Sequence, residues 1–189
     1  LSGGASRRMG SPKALLPYQG RPFLEHLLEV TTHPQIGLRR VVLGAHAEPI
    51  AKAVALQAND IVINEDWEKG QLSSIQAAIH SLPPGTDGIL LCLIDHPLVS
   101  ATLVQDLIER FYATKKTIVM PVYEGRRGHP VIFSSALYEE LLRAPEETGA
   151  RAVVWAHAGE IEEVHTNEEG CIMNLNDPDA MEKLRGGLV

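Results

Sequence analysis

With 189 residues, 44% of them apolar and 22% charged, the chain has the size and composition of one cored globular domain, spanning 1–189, and not of a disordered or fibrous protein. Its net charge of −7 argues against a nucleic-acid partner, and no apolar run approaches the roughly 18 residues of a membrane helix. Cys92 and Cys171 form no CxxC, so neither a zinc site nor a disulfide framework is expected; a reducing cytoplasm fits, and no signal peptide is visible.

Leu1 reads as the last residue of a strand, so a few strand residues are expected ahead of it. A loop rich in glycine and basic residues follows, "SGGASRRMGSPK". "RPFLEHLLEV" carries Phe23, Leu24, Leu27 and Leu28 at helical spacing. "RRVVLGAH" reads as a strand, "EPIAKAVALQAN" as a helix and "DIVIN" as a strand. "GQLSSIQAAIHSL" reads as a helix ended by "PPGTDG". "GILLCLI" is short, apolar and flanked by turn residues, which predicts a strand buried on both faces. Ser100 is the expected N-cap of "ATLVQDLIERFYA", whose Leu103, Val104, Leu107, Ile108 and Phe111 form one stripe. "TIVMPVY" is a further strand, with "VIF" a candidate antiparallel partner, and "SSALYEELLRA" a further helix. The alternation predicts an α/β fold around a mostly parallel sheet, whose ligands sit beyond the carboxyl ends of the strands.

The opening loop lies at such an end. Glycines let a ligand approach the backbone, and backbone N–H groups followed by a helix attract phosphate. Arg7, Arg8 and Lys13 add positive charge. The spacing fits neither GxxxxGK[ST] nor GxGxxG, so the loop is a different nucleotide grip or a solvated basic turn. Asp95 follows "GILLCLI" and is therefore delivered to the same edge as a candidate magnesium ligand, or as a turn residue before Pro97. The histidines show no ligand spacing for zinc. Trp67 and Trp155 read as packing residues.

"LSGGASRRMGSPKALLP" resembles the signature of nucleotidyltransferases with a Rossmann-like fold, matching at Gly4, Ser6, Arg8, Met9, Gly10, Lys13, Leu15 and Leu16. "INEDWEKGQLSSIQAAI", "DHPLVS", "YEGRRGHPVIF", "TGARAVV" and "NLNDPDAM" are similar, in order, to segments of the MobA-like group, which includes the molybdenum cofactor cytidylyl- and guanylyltransferases. The resemblance implies a three-layer fold of the nucleotide-diphospho-sugar transferase type. It also implies magnesium-dependent transfer of a nucleoside monophosphate from CTP or GTP to a phosphate of molybdopterin, with pyrophosphate leaving. Leu1, Ser2, Gly3 and Gly4 would then meet base and ribose through their backbone. Ser6, Arg7, Arg8 and Gly10 would cradle phosphates, and Lys13 would sit at the α-phosphate.

By the same resemblance Asp95 would hold magnesium with Asn176, which stands where an Asp is usual, or with Asp177, which is equally a helix cap. Ser73 and Ser74 would touch base or acceptor, or pad the helix. Arg127, Gly128, His129 and Pro130 would face the acceptor, with His129 positioning it instead of acting as a base. Gly3 resembles the guanylyl branch, whereas the Trp-Gly-Ser and Gly-His-Pro segments favour CTP. A sugar phosphate or methylerythritol phosphate is the alternative acceptor. A non-catalytic cofactor-binding partner of a molybdenum enzyme is the alternative role.

Overall fold

The computed structural model describes residues 1–6 and 10–176. Arg7, Arg8, Met9 and Asp177 lie outside them.

In chain order the elements are a short hairpin of β1 (Pro17–Tyr18) and β2 (Arg21–Pro22), then α1 (Phe23–Val30), β3 (Val41–Leu43), α2 (Ala47–Ala53), β4 (Ile61–Ile63), α3 (Gln71–His80) and β5 (Gly88–Leu91). They continue with α4 (Ala101–Thr114), β6 (Ile118–Tyr123), β7 (Arg126–Arg127), β8 (Val131–Ser134), α5 (Tyr138–Leu142), α6 (Ala150–Ala156) and β9 (Ile161–His165). β3 and β4 pair in parallel, as do β6 and β9, while β8 lies antiparallel between β5 and β6. Leu1 and Ser2 join the two halves. Ser2 donates to Val42 O at 2.9 Å, Leu1 donates to Cys92 O at 2.5 Å, and Ile94 donates to Leu1 O at 3.1 Å. The sheet therefore runs β4–β3–(Leu1, Ser2)–β5–β8–β6–β9, with the two-residue β7 also paired on β6; it is mixed because β8 and β7 run antiparallel to their neighbours. The reversal of β8 has a consequence for the site: the residues just before β8 emerge at the same edge as those just after the parallel strands.

Strand alternation splits the core into two layers. Ile118 and Met120 of β6 join Val131 and Phe133 of β8 under α3, α5 and α6, while Val119 and Ile132 point to the α4 stripe of Leu103, Val104, Leu107 and Ile108. Ser100 caps α4 as expected, its Oγ accepting from Leu103 N at 3.0 Å. The α2 helix ends earlier than its pattern suggests, where Ala55 takes a positive φ of 50°. Trp155 is a correction: it is 64% exposed on α6, because the apolar side of that short helix is already supplied by Val153. Among the described residues no helix is long and apolar enough to cross a membrane.

β5 also differs from expectation. Gly88, Ile89 and Leu90 are only half-buried, because a cavity of about 510 Å³ opens beside them. The cavity is apolar, lies between β5 and β3, and ends at Leu1, whose amino group is buried.

Candidate active site

The site is built at the carboxyl edge of the sheet. After Ser2 the chain turns over the end of β3: Ala45 donates to Gly3 O at 3.1 Å, and the His46 ring bonds to Ala5 O at 3.1 Å. Ser6 has a positive φ of 50°, which turns the loop back so that its Oγ accepts from Lys13 N at 3.1 Å. Gly10 takes a φ of 69°, a conformation that favours glycine. Lys13 opens a single helical turn, Lys13–Leu15, and the next residue, Ala14, is sealed in the core beneath it. The backbone of Lys13 is thus fixed while its long side chain remains adjustable.

Asp95 arrives from the other side, just beyond β5. Leu175, fully buried against Phe23, donates to Asp95 O at 2.8 Å, and this carries Asn176 to the same point. The Lys13 ammonium hydrogen-bonds Asn176 Oδ1 and lies 3.8 Å from Asp95 Oδ2. Three residues separated by most of the chain therefore meet in one partly shielded cluster. Asp95 and Asn176 supply a carboxylate and an amide oxygen, the hard donors that magnesium or manganese prefer when water and substrate phosphate complete the shell. Among the described residues no group of three or more His, Cys, Asp or Glu is gathered for a metal. The donor set fits a cation shared with a ligand, not a closed metal cage.

Gly3 packs under the other wall. A Cβ there would lie 2.9 Å from Ser74 Oγ. Ser74 is buried, and both Ser74 and Ser73 accept hydrogen bonds from the Asn64 amide, at 3.0 and 2.9 Å. Ser73 also donates toward Gly70 O at 2.8 Å. Trp67 covers this floor: a Cβ on Gly44 would lie 2.6 Å from Trp67 Cβ. Asn64 stands in the segment "INEDWEKGQLSSIQAAI" that resembles the MobA-like group, but the sequence assigns it no role. Its position directly after β4, at the edge where ligands collect, was the available signal.

The Gly-His-Pro segment precedes β8 and so reaches the same edge. His129 donates its backbone N–H to Cys171 O at 2.8 Å, and Gly128 is pressed against the Cys171 backbone. Arg127 points elsewhere, its guanidinium bonded to Glu163 of β9 at 2.7 Å. His96 is the residue that sequence reasoning missed. It is buried, and its ring centroid lies 4.9 Å from that of His129. The Nδ1 atoms of both rings are buried without a hydrogen-bond partner among the described residues. Only its place between Asp95 and Pro97 marked it in the sequence.

Burial, with His96 beside it, pushes His129 down to about 4, against the opposing charge of Asp95. Unfolded, the same ring takes up a proton near pH 6.5. Between these values the unfolded chain binds more protons, so acid favours unfolding. The stability is complete above about pH 6.5 and is lost as the pH falls through about 4, by about 3 kcal/mol. His129→Gln is expected to flatten this acid limb, as measured by denaturant unfolding at pH 7, 5.5 and 4.

A glycine-rich loop after one strand, a carboxylate after the next and a lysine between them define a phosphate-handling edge of an α/β sheet. The comparisons agree with that class. Residues 1–161 match the MobA-like NTP transferase domain. The chain belongs to that family of nucleotidyltransferases, and its architecture is the nucleotide-diphospho-sugar transferase fold. It is 34% identical over 148 residues to nicotine blue oxidoreductase of Paenarthrobacter nicotinovorans, covering 72% of this chain and 70% of that one. It is 25% identical over 179 residues to the molybdenum cofactor cytidylyltransferase of Escherichia coli, covering 93% and 88%. Rv0371c of Mycobacterium tuberculosis, solved in complex with manganese, superposes with a TM-score of 0.76 at 28% identity, covering 96% of this chain and 93% of that chain.

Proposed function

We propose that the protein is a cytidylyltransferase that moves CMP from CTP to a phosphate of molybdopterin and releases pyrophosphate. The observation that carries this reading is the meeting of Lys13, Asp95 and Asn176 beside the opening loop. The acceptor phosphate supplies the nucleophilic oxygen. A bond forms from that oxygen to the α-phosphorus of CTP as the bond to the pyrophosphate oxygen breaks. The protein's task is alignment and neutralisation of charge.

In this reading Leu1, Ser2, Gly3 and Gly4 present backbone to base and ribose, and Ser74 stands behind Gly3 as the wall of the base site. Ser6 and Gly10 shape the phosphate loop, to which Arg7 and Arg8 add charge. Lys13 neutralises the α-phosphate as it is attacked. Asp95 and Asn176, with Asp177 as a further candidate, would hold magnesium, which supplies positive charge against the triphosphate when bound; the manganese complex of Rv0371c supports a divalent ion. Gly128, His129 and Pro130 line the acceptor side. His129 is neutral near pH 7, and the acceptor phosphate is already ionised, so a general base is unnecessary. Arg127 serves the acceptor only if it leaves Glu163. The molybdopterin acceptor and CTP are supported by the name and long overlap of the Escherichia coli relative. Both cysteines are free thiols, in keeping with a cytoplasmic enzyme.

Pyrophosphate release with CTP or GTP, against molybdopterin, a sugar phosphate or methylerythritol phosphate, tests the reading. Release with CTP, molybdopterin and magnesium together is expected. Faster release with GTP would reverse the base assignment, and release with another acceptor would replace molybdopterin. Nucleotide binding without release would make the protein an accessory of a molybdenum enzyme. Because one relative is named nicotine blue oxidoreductase, reduction of nicotine blue by a supplied electron donor is followed in parallel; reduction without pyrophosphate release would overturn the transferase reading.

A further inference from the structure

We infer that Lys13 and a divalent cation exclude one another at Asp95 and Asn176, so that the free protein guards its cation oxygens with its own lysine. This rests on the proposed assignment of those two oxygens to a cation. The Lys13 ammonium already donates to Asn176 Oδ1 and stands 3.8 Å from Asp95 Oδ2. Leu175, completely buried, donates its N–H to the Asp95 carbonyl, which keeps the backbones of residues 95 and 175 together and so brings the Asn176 amide beside the Asp95 carboxylate. Lys13 is held at its backbone by Ser6 and by the burial of Ala14, and only its side chain can swing.

The charges work in the same direction. Among the described residues, Asp95 and Asn176 together bring one negative charge, which the lysine balances. A divalent ion entering beside the lysine would face a like charge within a few ångströms, at side chains only 13% and 23% exposed, where water screens poorly. A cation gains its place at these two oxygens when the ammonium leaves.

Mn²⁺ binding to the full chain, read by the electron paramagnetic resonance signal of free Mn²⁺ with no nucleotide or acceptor present, tests the exclusion. Lys13→Met is expected to bind Mn²⁺ at least tenfold more tightly than the unaltered protein. Lys13→Arg, which keeps the charge, is expected to bind as weakly as the unaltered protein. Adding Asp95→Asn to Lys13→Met is expected to abolish the gain. Lys13→Gln serves as the second uncharged variant should Lys13→Met unfold, as thermal melting would reveal. Equal or weaker Mn²⁺ binding by the uncharged variants overturns the inference. So does tight binding that survives Asp95→Asn, or the lack of Mn²⁺ binding by any form. These outcomes are independent of turnover: failure with every acceptor would strike the proposed reaction and leave the Mn²⁺ result standing.

Discussion

Lys13→Met is expected to lose about 10²–10³-fold in kcat while its KM for CTP changes by less than about tenfold. Methionine keeps much of the side chain's length and removes only the charge. The main-chain bond from Lys13 N to Ser6 Oγ persists, as does the burial of Ala14, so the loop retains its shape. Base and ribose are met by the backbone of residues 1–4 in the proposed mode, and they are untouched. What disappears is a partly shielded positive charge where negative charge concentrates during attack. Steady-state pyrophosphate release checks this. An unchanged kcat would remove Lys13 from the chemistry, and a loss confined to KM would make it a ground-state phosphate contact.

Asp95→Asn is expected to cost about 10²-fold or more in kcat/KM and to raise the divalent-cation concentration needed for half-maximal rate. The substitution is nearly isosteric. The Asp95 carbonyl still accepts from Leu175, so the approach of Asn176 is preserved and thermal stability should change by less than about 1 kcal/mol. The site, however, exchanges its carboxylate for a second amide. The remaining oxygens then attract a cation far less, and Lys13 loses its anionic neighbour. Cation titrations of the rate, beside a melting curve, separate this outcome from simple unfolding. Full activity at the original cation concentration would exclude Asp95 as a ligand.

Much of this architecture was legible because it is periodic or local. The α4 stripe, its Ser100 cap and the strand that ends before Asp95 follow from spacing and turn chemistry. The meeting of Lys13 with Asn176 does not, since it depends on one backbone bond from Leu175 to Asp95 at long range; the family resemblance implies only that Asp95 and Asn176 share a cation. His96 was invisible for a related reason. Its significance arises when antiparallel β8 carries His129 back to the same edge, and no spacing along the chain encodes that return. Arg127 shows the converse: a basic residue inside a matching motif has its charge committed to Glu163 on the neighbouring strand. The burial of Ser74 beneath Gly3 and its bond to Asn64 are likewise absent from any spacing, because they depend on the packing of Trp67 across two loops.

The most direct test of the central claim is label transfer from CTP carrying radioactive phosphorus at the α position, incubated with molybdopterin and magnesium. The account predicts that the label moves to molybdopterin as CMP, with unlabelled pyrophosphate released in equal amount, and that Lys13→Met slows both together. Label that stays in CTP, or that appears only as free CMP whether or not molybdopterin is present, would contradict it.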